Sequence, residues 1–158
     1  MFSVALASAK RVSELQALSW KVSFSSSAAA VAYVPEFMAK TESALWPLPR
    51  SFAIQSLSDF AAGLPDDLLL CPVRTMSEYL RRTSRLEVRP RRLFVSPRCP
   101  SRAMTKNGIS YFLREVIVHS GTSSGDGTAP RAHSIRGIAT SSAFFKNWSL
   151  QSVLQAAS

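Results

Sequence analysis

The sequence predicts a mainly α-helical domain carrying one small antiparallel β-sheet, an α+β fold. Helical apolar spacing recurs near the start, across residues 66–86, after Thr105 and around Arg136. Residues 20–56 instead hold strand formers interrupted by Pro35, Pro47 and Pro49. A chain of 158 residues, 46% hydrophobic and 18% charged, is long and apolar enough for one packed core.

Val4, Leu6, Val12, Leu15 and Leu18 share a helical spacing, so one helix is predicted over residues 2–19. The opening MFSVALASAKR has the short apolar stretch of a signal peptide but no basic segment before it. Its pattern runs on into RVSELQALSW, so it reads as a helix inside a domain. Val22, Phe24, Val31, Tyr33, Val34 and Ile54 mark short strands with hairpin-like loops. The Ser/Ala run SFSSSAAA is the one low-complexity piece and reads as a loop or a weak strand.

Asp66–Leu86 reads as a helix, with Pro72 in a first turn and Val73, Met76, Tyr79 and Leu80 as its apolar stripe. RPRRLFVSPRCP is basic around the short apolar piece Leu93-Phe94-Val95. Thr105 is placed to cap the next helix, whose apolar face is Ile109, Phe112, Leu113 and Val116. SGTSSGDGTAP is a loop by composition. A helix carrying His133 and Arg136 then runs to about Phe145, and Ser149 caps a last short helix, LQSVLQAA. No internal repeat is visible.

Nineteen Lys and Arg against ten Asp and Glu give a net charge of +9. That balance favours an anionic partner, nucleic acid first and a membrane surface second. Cys71 and Cys99 fit no metal-ligand spacing and suit free thiols in a reducing compartment. No apolar run reaches ~18 residues, so no membrane helix is expected.

Arg11 and Glu14 lie three apart, so the carboxylate could orient the guanidinium. The plainer alternative is an exposed ion pair worth a few tenths of a kcal/mol. Lys40 sits in FMAKTE, before the proline-rich WPLPRSFAI, where a hairpin lysine reaches outward. His133 and Arg136 share a helix face in AHSIRGIATS and could bind one phosphate. Gly137 follows at once, and a mid-helix glycine costs ~1 kcal/mol against alanine unless packing or a site needs it.

The ordered set Arg-x-x-Glu-Leu, hairpin lysine, His-x-x-Arg-Gly resembles the catalytic domain of the tyrosine recombinases, or phage-integrase-like proteins. SAKRVSELQALS, VPEFMAKTE and AHSIRGIATS look most like the recombinases of DIRS-like retroelements. The resemblance covers nearly the whole chain. It implies that Arg11 and Arg136 clamp the scissile phosphate and stabilise its pentavalent transition state. His133 would hydrogen-bond the phosphate or help deprotonate the nucleophile, and Lys40 would protonate the departing 5′ oxygen. Glu14 would hold Arg11 in place. DNA is the implied partner, with nuclear localisation following from it, and no metal or nucleotide cofactor is required. Arg81, Arg82, Arg91, Arg92 and Lys106 would contact the DNA backbone.

The sequence departs from the family at the nucleophile. The family's tyrosine follows the His-x-x-Arg box, whereas Tyr33, Tyr79 and Tyr111 all precede it. Residues 1–158 are therefore expected to be a truncated catalytic domain, without the N-terminal DNA-clamping domain and inactive alone in strand cleavage. Family members assemble by exchanging C-terminal segments, so a homo-oligomer is implied for the intact family and not for this chain. The alternative is a non-catalytic basic helical nucleic-acid-binding module centred on the arginines between 81 and 102.

Overall fold

The computed structural model describes residues 1–39, 42–43, 49–57, 70–120, 131–132 and 134–145, the last four by their backbone alone. Helix α1 (Phe2–Ser8) ends at Ala9, whose backbone turns left-handed with φ 50° and ψ 21°. Helix α2 (Val12–Gln16) starts two residues later, with Arg11 as its extended N-cap at φ −69° and ψ 156°. The single helix predicted over 2–19 is thus two short helices, and Leu18 already belongs to a strand.

The physical reason lies at the break. Ala9 N–H closes α1 on the Ala5 carbonyl at 3.0 Å. Glu14 then restarts the helix by accepting the Arg11 N–H at 2.7 Å. This is one half of a capping box; arginine carries no acceptor, so the reciprocal half is absent. A left-handed L-residue costs about 1–2 kcal/mol. Alanine serves here because its methyl is buried, 6% exposed.

Strands β1 (Leu18–Phe24), β2 (Ala28–Tyr33) and β3 (Ser51–Gln55) form an antiparallel sheet in the order β1-β2-β3. SFSSSAAA resolves into the end of β1, a turn and the start of β2; Ser25 closes the turn on Ala28. Ala29, Val31 and Ile54 face the core. The β1–β2 register slips between Leu18 and Val22. Beside that slip, residues 91–93 run along β1: Trp20 N–H donates to the Arg91 carbonyl, and Leu93 N–H to that of Leu18.

Helix α3 (Pro72–Thr83) carries proline in its first turn and buries Val73 and Met76. It is shorter than the predicted Asp66–Leu86, of which residues 66–69 lie outside the described residues. Helix α4 (Lys106–His119) starts where predicted, with the Thr105 hydroxyl accepting from Gly108 N–H. Its core face is Ile109, Leu113 and Ile117; Phe112 and Val116, expected inside, are 38% and 39% exposed. A buried stripe at i, i+4 and i+8 turns both of them to the rim.

Helix α5 (Ser134–Phe145) packs on α1, which also meets α3 and β3, while α2 rests on α4. Leu15, Leu18, Met76, Leu93, Ile109, Leu113 and Ile135 join these elements in one buried cluster. The fold is α+β. The predicted loop at 121–130 and the last helix after Ser149 lie outside the described residues.

Candidate functional site

A cavity of about 710 Å³ opens between the α1–α2 break and the start of α5. Lys10, Arg11, Val12 and Ser13 line one side; Ala132, Ser134, Arg136, Gly137 and Thr140 line the other. The break at Ala9 is what delivers Lys10 and Arg11 there. A continuous helix would carry them past on successive faces, whereas the extended residues between α1 and α2 place both at the cavity. Helical spacing puts Arg136, Gly137 and Thr140 on neighbouring turns of α5.

Three cations and no carboxylate line this space among the described residues. Neither guanidinium, Arg11 or Arg136, has a hydrogen-bond or ion-pair partner among them. Lys10 is half-buried, with its ammonium 5.3 Å from the centre of the Phe52 ring. The first turn of α5 adds the positive end of its backbone dipole. Ser13 and Ser134 bring hydroxyls, while the Thr140 hydroxyl donates to the Arg136 and Gly137 carbonyls, each at 3.0 Å. An arrangement of this kind attracts an anion with several oxygens.

Glu14 stands behind the cavity, 7% exposed. Besides capping Arg11 it lies close enough to the Tyr33 hydroxyl of β2 to act on its ionisation. Burial first, and then the nearby Glu14 charge and hydrogen bond, push the Tyr33 phenol above its ordinary value. Glu14 therefore holds the Arg11 main chain rather than pairing with its guanidinium.

The structure brings Arg11 and Arg136 together from opposite ends of the sequence. Lys40 and His133 lie outside the described residues. The remaining basic candidates do not line the cavity. Arg81 and Arg82, in the last turn of α3, both grip Glu78 at 2.7 Å. Those bonds hold the Glu78 carboxyl down at about 2, so the three side chains present a net single positive charge. Arg91 is exposed and Arg92 half-buried on the segment beside β1, and Lys106 is exposed at the first position of α4. Arg89 stacks over Trp20 at 5.3 Å and touches the Thr83 hydroxyl.

Lys10, Ser13, Ser134 and Thr140 are site residues that the sequence reading does not single out. Lys10 had a signal, adjacency to Arg11, hidden by the assumption of a continuous helix. Among the described residues no His, Cys, Asp or Glu cluster could hold a metal ion. Nor is any described helix long and apolar enough to cross a membrane. No family model, curated protein or solved structure matches this chain.

Proposed function

We propose that this chain binds the phosphodiester backbone of DNA through the Arg11–Arg136 cavity, as a catalytic domain of tyrosine recombinase type. The observation that carries the reading is the convergence of those two arginines, with Lys10, on one cavity that no carboxylate lines among the described residues. Guanidinium forks match phosphate oxygens in pairs, and two forks fix a phosphate in position and orientation. Glu14 supports the clamp by fixing the Arg11 backbone. His133 and Lys40 complete the expected set by sequence.

Among the described residues no tyrosine lines the cavity. The Tyr33 hydroxyl lies beside the Glu14 carboxylate, and the Tyr79 hydroxyl accepts the Val95 N–H at 2.9 Å. Burial raises both phenols, which makes each a poorer nucleophile.

Fluorescence anisotropy with a labelled duplex over a salt series tests the reading. Each phosphate contact contributes about −0.9 to the slope of log affinity against log salt. Arg11→Ala with Arg136→Ala should flatten that slope by about 2. An unchanged slope refutes the clamp.

The second reading, a basic module without catalytic ancestry, draws on the Trp20–Arg89 stack and the exposed Arg85, Arg91, Arg98 and Arg102. It predicts the opposite result, with binding lost on neutralising those four and retained without Arg11 and Arg136.

A further inference from the structure

Two glycines of the described helices invite comparison. Gly108, in α4, has an evident packing reason: a Cβ there would sit 3.1 Å from Met104 Cγ. Gly137, in α5, has none among the described residues. A Cβ built on it meets nothing within 4 Å among the described residues, and its φ lies outside the range that side chains avoid. Neither backbone conformation nor packing among the described residues asks for glycine at this position. Its neighbour Arg136 and Thr140 one turn on both line the cavity, and so does Gly137 itself.

We propose that Gly137 is the point of closest approach for the bound DNA backbone. The missing side chain leaves bare main chain on the α5 wall of the cavity. A sugar–phosphate chain held by Arg136 can then lie directly on the helix, where any methyl would stand it off. The inference rests on the phosphate-binding reading and adds a steric condition: the ligand is an extended backbone rather than a small anion. Inorganic phosphate needs only the guanidinium groups and fits beside an alanine.

Gly137→Ala separates these roles because stability and binding should move in opposite directions. Alanine is the better helix former, so the melting temperature should rise by about 2–4 °C. Ser141→Ala, at an exposed position later in α5, serves as the control for helix propensity alone. Affinity for a labelled duplex should fall roughly tenfold in Gly137→Ala, the scale of a misplaced methylene in a packed contact. It should hold within twofold in Ser141→Ala. Stabilisation by millimolar inorganic phosphate should persist in both variants.

Duplex affinity unchanged in Gly137→Ala overturns the inference while leaving the arginine clamp intact. Loss of the phosphate effect as well also overturns it, because the methyl then disturbs Arg136 instead of blocking approach. A wild-type protein with no salt-dependent duplex binding removes the underlying reading, and the inference with it.

Discussion

Replacing Glu14 distinguishes a buried cap from a surface ion pair. Glu14→Ala removes the acceptor of the Arg11 N–H and leaves the Tyr33 hydroxyl without its carboxylate neighbour. Loss of a helix N-terminal cap costs about 1 kcal/mol. The half-buried Tyr33 hydroxyl, stripped of its carboxylate neighbour, adds about 1 kcal/mol. The expected destabilisation is therefore about 2 kcal/mol, measured by urea unfolding at an unchanged denaturant slope. Arg11→Ala keeps the backbone N–H and removes only an exposed guanidinium, so its cost should stay within about 0.5 kcal/mol. If Glu14 were one half of a surface pair, both substitutions would cost the same few tenths. Equal and small effects would thus refute the capping role. Equal and large effects would show that the guanidinium is itself structural.

Further outcomes follow from other parts of the fold. Tyr33 has a raised phenol, so it contributes stability below pH ~10, where the unfolded phenol stays neutral, and loses it as pH climbs higher. The stability gap between wild type and Tyr33→Phe, followed by urea unfolding from pH 8 to 11, should shrink towards the alkaline end; a constant gap contradicts this. Lys10→Gln should flatten the salt slope of DNA binding by about 0.9, while Phe52→Leu, which removes only the ring beneath the ammonium, should lower stability and leave the slope alone. The two thiols should differ towards a disulfide reagent at pH 8. Burial pushes the Cys71 thiol up, but hydrogen bonds from Ser56 and from the N–H groups of Arg74, Leu57 and Val73 outweigh it and hold the thiol low. Being fully buried, Cys71 should still react only on unfolding, whereas Cys99, partly exposed, reacts at once. Two fast thiols would mean that the segment over Cys71 opens readily.

The sequence is most legible where one physical signal acts alone. Thr105 ahead of a helical stripe marks a helix start that the structure reproduces, and Pro72 sits in the first turn of another, as expected of it. Val31 and Ile54 fall on the core face of the sheet that their β-branched side chains suggest. Legibility fails where two signals compete. From Val4 to Leu18 the helical period continues without a glycine or proline, yet Ala9 turns left-handed. The restart at Glu14 was masked because arginine, not serine or threonine, holds the N-cap. Phe112 and Val116 show a third failure. A helix with apolar residues on more than one face does not say which face is covered until its neighbours are placed. At the candidate site, Arg11 and Arg136 could be named from the sequence, but their shared cavity depends on long-range packing of α1 against α5.

That long-range packing orders events in time. A ribosome releases residues at about 5–20 per second, and N-terminal elements can begin to associate before later ones exist. Lys10 and Arg11 emerge well over a hundred residues before Arg136. Until α5 settles against α1, the nascent chain offers two adjacent cations and no enclosed anion site. A polyanion can therefore be gripped from both sides only by a chain that has closed on itself. Once gripped, it opposes the separation of α1 from α5, since a ligand that binds only the closed form stabilises it by mass action. Occupancy of the cavity thus doubles as a test of completed folding.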